Sequence, residues 1–359
     1  MTNERAPSNN RPAPSLRARK IAIVPVHTGN AATSERRLLV MAAMLRQRGL
    51  QCDVLRPSHR AREDHPASAD AAEVKFFAVD NPDQPKNDQH TCTSLVEHLR
   101  AGGYTTVMLK GLGYAVGKQI MEAELGVSEF VGILGGSWRD KNLHRFGFFF
   151  TEHAGQECIL AERRGHSAVV HRLPKYLPLD DWRPLRQQPK EFDVAYIANF
   201  IARKNHMAMA PLFGSEHSIV FIGDGPLREQ VREVAKGHAN VVFAGQKPWR
   251  ETVKLAASAR VLAHPSTFEG LPRAVVEAMA CGVPVVGLAS TLGAALGDEP
   301  ACLLVPPESF CEETERLLAD RARLEAMSRA AVDYYERNHN HRVLEEAVDA
   351  FYSWVLRKG

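Results

Sequence analysis

Glu269 and Glu277, two glutamates separated by seven residues, sit in the run His264-Pro265-Ser266-Thr267-Phe268-Glu269-Gly270-Leu271-Pro272-Arg273-Ala274-Val275-Val276-Glu277. The pattern reads strand, loop, helix, with Pro272 at the first helical position, where a missing N–H is tolerated. The free amides of such a helix start suit an anion such as a diphosphate. Gly270 lets a ligand approach the backbone closely. At ~1.5 Å per residue, Pro272 and Glu277 stand roughly 7–8 Å apart along the axis. One carboxylate then falls near each end of a diphosphate, where it can accept from hydroxyl pairs of a sugar or of a ribose. The plainer alternative stays open on these residues: Glu277 as a surface helix glutamate, Glu269 as a favourable charge near a helix start.

The elements that hold this segment form a repeated α/β pattern. Lys20–Pro25 predicts a buried parallel strand, followed by a small-residue turn at Thr28-Gly29-Asn30-Ala31 and a helix whose apolar positions include Leu38, Met41 and Leu45. Further strands are expected at 52–55, 105–109, 130–134 and 146–150, with helices near 116–125 and 154–164; residues 56–90 are polar and fit no clear element. Prolines 174, 178 and 184 mark a connector. A second cycle follows, with strands at 193–198, 219–222, 241–243, 261–263 and 283–287 and helices starting near Lys204, Pro226, Pro248 and Pro272. Residues 312–358 read as helical. The expected division is a disordered tail over 1–18, a Rossmann-like domain over 19–176, a hinge over 177–190, a second Rossmann-like domain over 191–338 and a terminal helix over 339–359.

The 359 residues are 45% apolar and 24% charged, which suits a globular chain of about two domains. Lys plus Arg (45) against Asp plus Glu (42) leaves +3, too balanced for nucleic acid as the main partner. No apolar run has the length of a membrane span or of a signal segment. The six cysteines are scattered, without zinc spacing, and read as reduced, buried thiols of a cytoplasmic protein.

The Glu269/Glu277 pair, followed by Ala278-Met279-Ala280-Cys281-Gly282-Val283-Pro284-Val285-Val286, resembles the E-x7-E signature of glycosyltransferase family 4. Ile222-Gly223-Asp224-Gly225-Pro226-Leu227, Phe243-Ala244-Gly245 and the hinge Leu173-Pro174-Lys175 to Trp182-Arg183-Pro184 are similar to the same family. The close resemblance covers about residues 192–290. It implies the GT-B fold: two Rossmann-like, doubly wound domains facing a cleft, with a C-terminal helix crossing back to the N-terminal domain. It implies a retaining, metal-independent transferase with a nucleoside diphosphate sugar as donor and no cofactor. On this resemblance Glu277 holds the ribose hydroxyls, and Glu269 contacts the transferred sugar near the reacting carbon. Gly270, Leu271 and the neighbourhood of Pro272 serve the diphosphate and sugar, and Gly223 and Gly225 belong to the donor-binding domain. Family members carry an arginine and a lysine after the first strand of this domain to neutralise the leaving diphosphate. Lys204 falls on the lysine; Asn199 stands where the arginine is expected, and Arg203 is the candidate to compensate. The alternative for Arg203 and Lys204 is a solvated basic pair at a helix start.

In the N-terminal half the turn keeps one glycine, Gly29, where the family often has two. Gly135 stands where a histidine is expected, with His27, His144 and His153 as candidate replacements. Glu152 and Gln156 read as polar residues at a helix start rather than as catalysts. Arg5, Arg11, Arg17, Arg19, Lys20, Arg36, Arg37, Arg46 and Arg48 either attract an anionic lipid or acidic glycan or form a solvated face and a plain linker. The resemblance favours a glycan or lipid-linked acceptor in bacterial polysaccharide or lipopolysaccharide assembly, with peripheral contact at the inner membrane face left open. A degenerate nucleotide-sugar-binding protein and a GT-B epimerase or phosphorylase are the competing readings.

Overall fold

Short apolar runs rich in Val, Ile and Phe alternate with amphipathic stretches, and the chain stacks them as parallel strands covered on both faces. The structure, a computed structural model, describes residues 19–28, 32–59, 74–135, 142–163, 168–177, 179 and 181–358. Strands β1 (Lys20–Pro25), β2 (Gln51–Ser58), β3 (Val74–Ala78), β4 (Thr106–Lys110), β5 (Glu129–Ile133), β6 (Phe146–Thr151) and β7 (Val169–Arg172) form one sheet in the order β3-β2-β1-β4-β5-β6-β7. Strands β8 (Phe192–Ile197), β9 (Ile219–Ile222), β10 (Val241–Gly245), β11 (Ala259–His264), β12 (Val285–Leu288) and β13 (Cys302–Val305) form the second, in the order β10-β9-β8-β11-β12-β13. Neighbouring strands in both sheets run parallel. Winding reverses between β1 and β4 and again between β8 and β11, and crevices at such points, outside the strand C-termini, are where doubly wound sheets bind ligands.

The helices are α1 (Ala32–Gln47), α2 (Thr93–Ala101), α3 (Ala115–Glu122), α4 (Ala154–Arg163), α5 (Arg183–Arg186), α6 (Arg228–Val234), α7 (Trp249–Ala257), α8 (Arg273–Ala280), α9 (Ala289–Leu296), α10 (Phe310–Ala319), α11 (Arg321–Asn338) and α12 (His341–Arg357). Helix α12 returns to the first sheet. Its Phe351 and Trp354 rings pack on Phe148 with centroids 5.5 and 5.3 Å away, within the core that also holds Leu38 and Leu45 of α1. Arg48 and Asp349 pair at 2.7 Å across the same contact.

Several expectations need correction. The segment after Lys204 is not an α-helix but two 3-10 turns, Ala202–Lys204 and His206–Leu212. Asn205 between them is left-handed (φ 49°) and Pro211 removes a backbone donor, so a continuous α-helical ladder cannot form. Pro272 is extended (ψ 137°) and precedes the helix, which begins at Arg273. The terminal helical stretch breaks at Asp320 and again at His339-Asn340; Asp320 and Asn340 cap α11 and α12 by accepting from Arg323 N and Val343 N. All six cysteines are free, but Cys158 is exposed and Cys302 and Cys311 are half-buried rather than buried. The tail over 1–18 and Gly29 lie outside the described residues. Of the basic side chains near α1, Arg19 is buried and donates to Val355 O, Arg37 is buried, Arg46 donates to Cys52 O at 2.8 Å and Arg48 pairs with Asp349. These four hold the chain together rather than forming a solvated face.

Candidate functional site

Two loops meet outside the C-termini of β8 and β11, at the reversal point of the second sheet. The first runs Ala198-Asn199-Phe200-Ile201-Ala202-Arg203-Lys204, the second Pro265-Ser266-Thr267-Phe268-Glu269. Thr267 N donates to Arg203 O at 2.9 Å, and Thr267 Oγ1 donates to the same oxygen at 3.2 Å. The buried Tyr196 hydroxyl, at the end of β8, donates to Lys204 O and lies 3.1 Å from Ser266 Oγ. With the backbones joined this way, Lys204 Nζ donates to Glu269 Oε1 and Arg203 Nη1 reaches the same oxygen at 3.1 Å. The Lys204 side chain is 14% exposed and that of Arg203 49%. Lys204 is therefore no solvated surface charge, whereas Arg203 keeps half its surface in solvent.

Gly223 and Gly225, between β9 and α6, press against the first loop. A Cβ on Gly223 (φ +141°) would lie 2.1 Å from Ala198 O, and one on Gly225 (φ +154°) 2.7 Å from Phe200 N. Phe200 N also donates to Asp224 O at 2.9 Å. These glycines shape the floor under the Asn199–Lys204 loop, and Asn199 itself is exposed.

Gly270, Leu271 and Pro272 are buried and lead into α8. The α-helical ladder leaves the first amides of α8 without partners within the helix. Glu277, one turn in, is 3% exposed, which rules out the surface alternative. Trp249 Nε1 donates to its Oε1 at 2.7 Å, and Arg273 Nε stands 3.2 Å from the same oxygen. Burial raises the Glu277 pKa against the pull of Arg273 and Trp249.

The facing wall comes from the first half. Glu152, between β6 and α4, is buried, and its Oε1 lies 2.6 Å from Arg37 Nη2 and 2.7 Å from Lys175 Nζ. Burial alone would raise its pKa, but these two cations hold it down at about 2. Glu152 is thus the anion of a buried cluster joining α1, β6 and the connector, not a plain helix-start residue. Lys175 N donates to His339 Nδ1 at 3.2 Å, which brings the α11–α12 junction into the cluster. Gln156 Oε1 accepts from Glu152 N and its Nε2 donates to Gly135 O, each at 2.7 Å, which anchors the end of β5. His153 Nδ1 lies 3.2 Å from Ala294 O on α9, across the cleft. His27 follows β1; burial and the charge of Lys110 hold its pKa down at about 4. His144 is exposed near the start of β6, beside Glu129 and Lys358, at the opposite end of the sheet from the cleft.

Tyr196, Thr267, Trp249 and the Arg37–Glu152–Lys175 cluster escaped the reading of the sequence. Of these, only the hinge motif around Lys175 left a signal there. A groove of ≈ 480 Å³ lined by Lys190, Arg260, Arg321 and Arg329 lies at the strand N-termini of the second sheet, away from this constellation.

Residues 194–320, which contain Lys204 and both glutamates, match the family model described as Glycosyl transferases group 1. That segment is about a third of the chain's 359 residues. The Bacillus subtilis protein EpsF, named as a glycosyltransferase, is 29% identical over 211 residues, which are 50% of this chain and 55% of that protein. The GDP-mannose-dependent alpha-mannosyltransferase of Corynebacterium glutamicum is 30% identical over 95 residues, 26% of this chain and 22% of that protein. The chain thus spans about half the length of the first of these curated relatives and less of the second. Pneumococcal O-GlcNAc transferase GtfA, solved in complex with UDP and GlcNAc, superposes with a TM-score of 0.71 at 11% identity, covering 95% of this chain and 99% of that one. That likeness shows the fold, GT-B. No helix among the described residues is long and apolar enough to cross a membrane.

Proposed function

We propose that the chain belongs to that family and is a retaining glycosyltransferase that moves a sugar from a nucleoside diphosphate donor to an acceptor hydroxyl. The observation that carries the reading is the placement of the paired acids within the matched segment. Glu269 sits against Lys204 and Arg203 at the strand ends, and Glu277 is buried one turn into the helix that starts between them. In this scheme the diphosphate lies at the α8 N-terminus, where Lys204, Arg203 and the helix amides stabilise charge developing on the leaving group. Glu269 accepts hydroxyls of the transferred sugar, and Glu277 accepts the ribose hydroxyls. The departing phosphate oxygen takes the acceptor proton as the new glycosidic bond forms on the face it leaves. Approach of the two halves excludes water that would hydrolyse the donor.

The similarity to a GDP-mannose-dependent enzyme and to a UDP complex favours a UDP- or GDP-sugar. For the acceptor we favour a glycan or lipid-linked saccharide of cell-surface polysaccharide assembly. The cleft wall of Arg36, Arg37, Lys175 and Arg273, against Glu152 and Glu277, carries a surplus of cations that suits an acidic acceptor or its phosphate. Asn199, in place of the usual arginine, favours a second reading, a donor-binding protein without turnover.

A panel of UDP-, GDP-, ADP- and dTDP-sugars separates the two. A true donor at 100 times its dissociation constant adds ~2.7 kcal/mol of stability. Proton NMR of the product formed from that donor should show the donor's own anomeric configuration. An inverted product overturns the retaining assignment, and tight binding without turnover selects the second reading.

A further inference from the structure

Trp249 opens α7 beside α8, and its indole makes contacts on both sides of the cleft. Its Nε1–H donates to Glu277 Oε1 at 2.7 Å. Over its ring lies the Arg36 guanidinium of α1, with Cζ 5.0 Å from the centroid. Helix α1 packs with the first sheet, α7 and α8 with the second. One side chain therefore joins the buried Glu277 carboxylate to the opposite wall. A buried carboxylate is tolerated when hydrogen bonds replace its lost hydration, and those bonds then set its direction. Arg273 contacts the same oxygen from within α8 and moves with it, whereas Trp249 fixes the carboxylate from another helix.

We propose that Trp249 is a positioning residue for the nucleoside end of the donor: it holds the Glu277 carboxylate in place for the ribose hydroxyls and, through Arg36, ties that grip to contact between the two halves. This deepens, and rests on, the donor-site reading above. A ligand that uses the oriented Glu277 binds more tightly when Arg36 covers the indole, and by linkage its binding favours that contact. Pyrophosphate, which has no ribose, gains nothing from the arrangement.

Titration calorimetry with UDP, GDP, ADP, dTDP and inorganic pyrophosphate tests it on the full chain. Trp249→Phe keeps an aromatic face for Arg36 and removes the N–H. It should weaken the nucleoside diphosphate that wild type binds by about tenfold, leave pyrophosphate affinity unchanged, and raise donor KM without lowering kcat. Arg36→Met should weaken the same nucleotide by about threefold, again without effect on pyrophosphate. Equal nucleotide affinity in wild type and Trp249→Phe overturns the proposal, as does a parallel loss of nucleotide and pyrophosphate, the signature of a collapsed pocket. The indole Nε1–H resonance of Trp249 in the wild-type chain gives a check that needs no stable variant. It should shift on adding the nucleotide and stay in place on adding pyrophosphate; an unmoved signal counts against the role. A wild-type chain that binds none of the four nucleotides overturns the donor-site reading and this proposal together.

Discussion

Lys204 is held at both ends of the residue: the Tyr196 hydroxyl donates to its carbonyl, and its ammonium donates to Glu269. In the proposed donor site such a cation would already be oriented toward a diphosphate, so little reorganisation would accompany its use as an electrostatic clamp. Glu269 in turn keeps two positive groups from repelling one another while no phosphate lies between them. Lys204→Ala should lower kcat by about 10²–10³-fold, the scale found when a preorganised transition-state contact is removed. Arg203→Ala should cost less, because its half-exposed guanidinium works partly through solvent. Steady-state kinetics at saturating acceptor checks the order. Lys204→Ala turning over like wild type, or Arg203→Ala being the more damaged, would contradict the assignment of the lysine as the main clamp. Arg203 contacts Glu269, while Asn199 is exposed on the same loop.

The loops that carry these residues depend on how closely β8, β9 and β11 bring their ends together. Gly223 is the tightest point, with no space for a Cβ against Ala198 O and a backbone φ that other residues avoid. Gly223→Ala should therefore cost about 1–3 kcal/mol in strain and shift the Asn199–Lys204 loop. The expected result is a lower urea midpoint together with weaker nucleotide binding; unchanged values for both would show that the loop does not rest on this glycine. At this scale the sequence was most readable where a run was apolar, short and bounded by glycine or proline, as in β1, β4, β8, β9 and β12. Strands β3, β7 and β13 were missed. In β3 and β7 the polar side chains Lys75, His171 and Arg172 blur the apolar signal of a strand, whereas β13 is apolar throughout but only four residues long. The segment after Lys204 reads as a helix because it joins two strands of an alternating α/β pattern, while the left-handed Asn205 leaves little trace in sequence. In the site, Glu269 and Glu277 stood out through type and spacing, and Lys204 through the family resemblance alone. Trp249 and Glu152 did not, because their partners Glu277, Arg37 and Lys175 are distant in sequence.

Across the whole molecule, the two sheets are coupled by α12, by the Arg37–Glu152–Lys175 cluster and by His339. Buried histidines lie both in or beside the second sheet and at that junction. Burial first, then nearby lysine and arginine charge, lowers the pKa of His264 and His339 to about 3 and of His206 to about 4. The unfolded chain takes up protons at these residues near pH 6.5, while the folded chain does not until far lower pH. Their contribution to stability is therefore present above pH 6.5 and is lost progressively as pH falls toward 4 and then 3. Each histidine adds a slope of about 1.4 kcal/mol per pH unit below 6.5. Urea unfolding at pH 7.5 and 5.5 should show a marked loss at the lower value and a shallower one in His264→Phe; equal slopes would contradict a neutral buried ring. The proposed donor site in the cleft is tested most directly by a crystal structure of the chain with the nucleoside diphosphate that binds tightest. The diphosphate should lie at the α8 N-terminus with Lys204 on a phosphate oxygen and Glu277 accepting from the ribose hydroxyls. A nucleotide bound elsewhere, or one whose ribose makes no contact with Glu277, would contradict it.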